Sequence, residues 1–82
     1  MDERVGNIIE ALEELLGDNT VPRNIKARVE TVITTLREEN GEEMSIKINK
    51  ALSELDDISD DSNIQPFTRT QIWNIASMLE ML

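Results

Sequence analysis

The stretch RTQIWNIASMLEML, residues 69–82, constrains this chain more than any other. Set on a helix of 3.6 residues per turn, it places Ile72, Ile75, Ala76, Met78, Leu79 and Leu82 on one face spanning about 160°. Trp73 flanks that face. A helix this broadly apolar needs partners along its length, and only other amphipathic helices in the chain can supply them. The fourth and last helix is therefore expected to be the staff against which the rest packs.

The remaining sequence reads as three such helices. In the first, Val5, Ile8, Ile9, Ala11, Leu12, Leu15 and Leu16 recur at helical spacing while Glu10, Glu13 and Glu14 face away. Asp2 and Glu3 suit its dipole, and Gly17 ends it. Pro22 is expected at the first helical position of the second, where its missing N–H costs nothing. There Ile25, Val29, Val32, Ile33 and Leu36 make the apolar stripe. Asn40-Gly41 marks the next turn. The third helix carries Met44, Ile48, Ala51, Leu52, Leu55 and Ile58, with Ile46 opposite. After the polar turn Asp60–Asn63, Pro66 opens the fourth. The spacing predicts helices over roughly 2–16, 22–38, 42–58 and 66–82. Short connections make sequential helices antiparallel neighbours. The expected fold is all-α: one domain over 1–82, an antiparallel up-and-down four-helix bundle made of two helical hairpins. Its expected core is Ile9, Leu12, Leu16, Val29, Val32, Leu36, Ile48, Leu52, Leu55, Ile72, Ile75 and Leu79.

An offset of 43 residues carries Ile9, Leu12, Leu15, Asp18, Val21, Val29, Val32 and Leu36 onto Leu52, Leu55, Ile58, Asp61, Ile64, Ile72, Ile75 and Leu79. Pro22 and Pro66 fall one position out of step. The period is that of HEAT and armadillo units, a weakly HEAT-like hairpin repeat. Two units are too few for a capped solenoid, so closure on each other into a bundle is expected.

Charge narrows function. The net charge is -9, with 17 acidic and 8 basic residues. Residues 1–20 and 41–63 each carry -5, whereas 21–40 carry +1 and 64–82 are neutral. Such a chain repels polyphosphate and anionic lipid, which disfavours nucleic acid and membrane surfaces as partners. No apolar run reaches a membrane span and no signal peptide opens the chain, so a cytoplasmic location is expected. With no His and no Cys, imidazole acid–base pairs, thiol nucleophiles and the usual zinc sites are excluded. Gly6, Gly17 and Gly41 are isolated, so no phosphate-cradling loop exists. Asp56, Asp57, Asp60 and Asp61 crowd one helix end, but the calcium-loop pattern fails and a solvated acidic turn is the reading. Glu10, Glu13 and Glu14 lie on a polar face. The chain is read as non-enzymatic, with no cofactor, no metal and no small-molecule substrate.

The candidate interaction residues are Arg23, Lys26, Arg28, Arg69, Trp73 and Met81. The first three form a basic cluster at the start of the second helix, against the sign its dipole favours. Trp73 is expected in or at the edge of the core, with Arg69 four residues earlier placed to cover its ring. The alternative makes Trp73 and Met81 an apolar patch that contacts a protein partner or, by self-association, the second helix of another copy. A soluble protein-interaction module is thus the functional expectation. The alternative is a nucleic-acid-associated helix-turn-helix protein using Arg23, Lys26 and Arg28.

VPRNI at 21–25, RT-x-IWNI at 69–75 and S-x-LE at 77–80 give the chain a recognisable signature. With both even-numbered helices opened by proline, it resembles the small archaeal proteins of Uncharacterised Protein Family 0147 over roughly residues 8 to 81. That resemblance implies an all-helical, cytoplasmic domain and carries no established activity.

Overall fold

The structure, a computed structural model, describes residues 3–82. Four helices follow in order: α1 (Glu3–Leu16), α2 (Arg23–Arg37), α3 (Met44–Ser59) and α4 (Pro66–Glu80). Each packs on two neighbours in a ring α1–α2–α3–α4–α1, and the diagonal pairs stay apart. This is an all-α four-helix bundle. The expected Asp2 at the dipole of the first helix lies outside the described residues. The helix starts need two corrections: Pro22 precedes α2, which begins at Arg23, and α3 begins at Met44. Pro22 still serves the helix, because its carbonyl accepts the N–H of Lys26 at 3.0 Å. Pro66 does open α4. The turn at Asn40-Gly41 needs its glycine, since Gly41 has a φ of 81°.

One aliphatic core runs through the ring. Nine of the twelve expected core residues are buried: Ile9, Leu12, Val29, Val32, Leu36, Leu55, Ile72, Ile75 and Leu79. Leu16, Ile48 and Leu52 are only half-buried and pack against its margin. Val5, Ile8, Leu15, Ile25, Ile33, Ala51 and Ile58 complete it, together with Val21 and Ile64 from the loops. In α3 the buried stripe is rotated toward Ala51, Leu55 and Ile58, which moves Ile48 and Leu52 to its side and brings Lys47 inside. The hairpin α1–α2 does not lie flat. Glu13 in α1 meets Arg37 in the last turn of α2 at 3.4 Å, where a flat hairpin would offer it the first turns of α2.

What holds the helix ends is a set of cations. No side chain caps the N-terminus of α2, α3 or α4. Instead, basic residues from first turns reach the carbonyl-rich C-terminus of a neighbouring helix. Arg69 donates to the carbonyls of Ser59 at 2.8 Å and Asp61 at 3.1 Å, at the end of α3. Lys47 donates to the carbonyl of Glu38, the residue that caps α2. Arg4 reaches the carbonyl of Met81 beyond α4 at 3.5 Å. Carbonyls left without intrahelical partners, at the negative end of a dipole, are where a cation stabilises most. The acidic end of α3, unfavourable by sequence, is offset by Arg69.

The 43-residue offset extends to these bonds. Arg4 falls on Lys47 and Met81 lies the same distance beyond Glu38. Lys26 falls on Arg69, although only Arg69 bonds helix-end carbonyls. Asp18 accepts the N–H of Thr20 at 2.8 Å as Asp61 accepts that of Asn63 at 2.8 Å. The N–H of Asp18 donates to Leu15 as that of Asp61 donates to Ile58.

Asp18 supplies a test of the first loop. The hydroxyl of Thr20 donates to it at 2.7 Å. That bond, then the Thr20 N–H, and then the charge of Lys26 hold its pKa below the usual 3.8. A depressed carboxylate contributes stability above its unfolded pKa and loses it as the pH falls through the folded one. Asp18→Ala should therefore be less stable than the parent in urea at neutral pH. The gap should close in strong acid; a gap constant with pH would show that the carboxylate charge plays no part.

Candidate functional site

The six residues singled out in the sequence do not form one site. α2 and α4 lie diagonally across the ring, which separates Arg23, Lys26 and Arg28 from Trp73 and Met81. Within the basic cluster, Arg28 is turned inward along the α2–α3 seam. Its Nε donates to Glu54 at 2.8 Å, and Asp57 lies 3.9 Å from the guanidinium. Lys26 acts on Asp18. Arg23 alone of the three is fully exposed. Arg69 is half-buried against the end of α3, with both carbonyl bonds made there. It does not cover Trp73, so the expected ring contact is replaced by a cap. The reason is competition: two oriented carbonyls give charge-assisted hydrogen bonds, worth more than a cation over an exposed ring.

Trp73 is correspondingly not a core residue. It is 55% exposed, and Met81 is 79% exposed. Two more large apolar side chains on the same helix stand in solvent: Phe67, 67% exposed, and Met78, 37% exposed. Phe67, in the first turn of α4 beside Pro66, was not among the sequence candidates. The remaining exposed residues of α4 before Glu80 are Pro66, Thr70, Asn74 and Ser77. None is ionisable. The other helices differ: α1 exposes Glu3, Arg4, Glu10, Glu13 and Glu14, α2 exposes Arg23, Glu30 and Arg37, and α3 exposes Lys50, Asp56 and Asp57. On a chain that is 30% charged, α4 presents an outer face without charge, in which Phe67, Trp73 and Met78 stand among Thr70, Asn74 and Ser77.

That face continues into the α1–α4 seam. One shallow groove is lined by Arg4, Asn7, Ile8, Met78 and Met81, and a second by Ala11, Glu14, Gln71, Asn74, Ile75 and Met78. Ile8 and Ile75 are buried at its floor. Gln71 Oε1 is buried there without a protein hydrogen-bond partner.

The acidic end of α3 stays dispersed. Asp56, Asp57 and Asp60 are exposed, and Asp61 turns back to its own loop at Asn63. Among the described residues no three carboxylates converge as metal ligands would.

Known proteins match this arrangement over its length. The family described as Uncharacterised protein family (UPF0147) matches residues 1–82. A UPF0147 protein of Methanocaldococcus jannaschii is 46% identical over 69 residues, 84% of this chain and 73% of that protein. One from Methanosarcina mazei is 36% identical over 80 residues, 98% of this chain and 85% of that protein. The crystal structure of unknown function protein MMP1188 superposes with a TM-score of 0.89 at 42% identity, covering 96% of this chain and 89% of that one. Among the described residues no helix is long and apolar enough to cross a membrane. The bundle, its sequence signature and its archaeal relatives agree, and the chain belongs to the uncharacterised protein family UPF0147.

Proposed function

We propose that this protein is a non-enzymatic, cytoplasmic protein-interaction module that works through the outer face of α4. The observation that carries the reading is that face itself. Phe67, Trp73, Met78 and Met81 stand exposed on it, and from Pro66 to Leu79 no exposed side chain is ionisable. Exposing Trp and Phe to water is costly in an 82-residue chain with only those two aromatics. Aromatic and Met side chains with charge excluded are the composition of an interface core. The nucleic-acid alternative has less support: Arg28 is turned to Glu54 and Asp57 along the α2–α3 seam, which takes one cation out of the cluster.

A photoreactive residue at Ser77, on this face, tests the reading in cell extract from the native host. The same group at Glu10, on the charged face of α1, is the control. Ser77 should crosslink to a discrete protein species and Glu10 should not. Equal or absent crosslinking from both positions overturns the proposal.

A further inference from the structure

We infer that Asn40-Gly41, in the turn joining α2 to α3, is a site of self-modification: the Gly41 nitrogen closes on the Asn40 side chain, ammonia leaves, and Asn40 becomes aspartate and isoaspartate. The turn needs its glycine, because Gly41 has a φ of 81°. Glycine is also the residue that least obstructs attack by its own backbone nitrogen. The fold thus places beside Asn40 the one neighbour that cannot shield it. Both residues are exposed. Beyond its chain neighbours, no atom lies within 4 Å of where a Cβ on Gly41 would stand.

The side chain is already folded back on the turn. Asn40 Oδ1 accepts the N–H of Glu42 at 3.1 Å. The ring closed by that bond contains Cγ of Asn40 and the nitrogen of Gly41, so electrophile and nucleophile share one tight turn. The same bond draws electron density from the amide carbonyl. Among the described residues the Gly41 N–H has no acceptor, which leaves it free to give up its proton. The other asparagines each fail a condition. Asn7, Asn24, Asn49 and Asn74 stand in helices, whose backbone angles a five-membered ring cannot adopt. Asn19 precedes Thr20, whose N–H is given to Asp18 at 2.8 Å. Asn63 precedes Ile64, which is β-branched and buried.

The step balances with water as the only co-reactant. The Gly41 nitrogen loses its proton and attacks Cγ. The Cγ–Nδ2 bond breaks, and Nδ2 leaves as ammonia with that proton. Water opens the resulting imide at either carbonyl. Attack at Cγ gives aspartate, and attack at the main-chain carbon gives isoaspartate. Each product adds a negative charge to a chain already at -9, among Glu38, Glu39, Glu42 and Glu43. Asn40 Nδ2 donates to the Glu38 carboxylate at 3.2 Å, and a carboxylate in its place repels it. Glu38 is also the residue whose carbonyl holds Lys47, so the change reaches the end of α2. Aspartate keeps an acceptor for the Glu42 N–H, whereas isoaspartate reroutes the main chain through Cβ.

The test is incubation of the full chain at mildly alkaline pH, folded and in urea, with Asn40→Gln as the variant. Isoelectric focusing follows charge, and mass spectrometry of the peptide carrying residue 40 separates aspartate from isoaspartate. The folded parent should turn into a more acidic form within about threefold of its rate in urea, since an exposed turn opens at almost no free-energy cost. The product should contain both isomers at residue 40. Asn40→Gln should stay unconverted over the same time, because its extra methylene demands a larger ring. A folded parent that keeps its charge while the chain in urea converts overturns the inference. So does an Asn40→Gln variant that acidifies as fast as the parent. A product holding aspartate alone overturns it too, since direct hydrolysis needs no ring.

Discussion

Leu55→Ala should leave this protein at the edge of unfolding. Leu55 is completely buried in the middle of α3. Truncating such a leucine costs about 2–5 kcal/mol, from lost transfer energy and from the cavity that remains. Folded domains of this size hold roughly 0.05–0.15 kcal/mol per residue, so the loss takes a large share of the total. Leu52, one turn earlier, is the internal comparison. It lies at the margin of the core, half-buried, where neighbours can relax into the space and water already reaches part of the side chain. Leu52→Ala should cost less than half as much. Urea denaturation of both variants checks this. Equal losses would mean that α3 is rotated from the orientation described, with Leu52 facing inward.

The second large effect should come from a charged residue. Arg69→Met keeps most of the apolar stem and removes the guanidinium that bonds Ser59 and Asp61. Hydrogen bonds from a charged donor contribute about 1.5–3 kcal/mol, and leaving the carbonyls unpaired adds to the loss. A drop of about 2 kcal/mol is expected, and each kcal/mol lowers the midpoint by about 4–8 °C in a domain of this size. Arg69→Lys should recover only part, because one ammonium cannot reproduce the planar fork that spans two carbonyls. Lys47→Met, which strips the bond to Glu38, should behave in the same direction. Thermal melting that leaves Arg69→Met within a degree of the parent would show the cap to be decorative.

These two residues also mark what the sequence could and could not convey. Helical periodicity was legible wherever apolar residues recur, which is why the stripes of α1 and α2 match expectation closely, whereas in α4 Met78, expected on the packed face, is 37% exposed. It was less legible in α3. There Ile46 and Met44 add apolar residues off the buried stripe, and the small Ala51 contributes little signal although it is completely covered. The stripe read from size alone therefore came out rotated, toward Ile48 and Leu52. Lys47 inside and Trp73 outside both invert the usual rule, and each inversion has a local cause. Lys47 is buried because a carbonyl at the end of α2 waits for it. Trp73 lies beyond the arc that Ile72, Ile75 and Leu79 bury. The purpose of the cations was hidden by reading each helix by itself, where a positive charge at the start is unfavourable. Arg4, Lys47 and Arg69 each bond a carbonyl at the end of a neighbouring helix, a role that no helix read by itself displays. The candidate face was half legible. Trp73 and Met81 were picked out by residue type, but the absence of charge around them emerges only when exposure is known.

The Arg4–Met81 contact has a consequence for how the polypeptide can be rewired. It joins α1 to α4 without a loop, so residues 4 and 81 lie side by side at one end of the ring. A short linker between the two ends, with the backbone opened at Asn40-Gly41, would yield the order α3, α4, α1, α2 with every neighbour preserved. Each hairpin would then stand where the other stood, carrying the same loop bonds 43 residues away. Order along the backbone is, for this ring, closer to a choice of starting point than to a determinant of shape. Backbone leaving α1 at residue 4 and backbone leaving α4 at residue 81 depart from the same end of the ring.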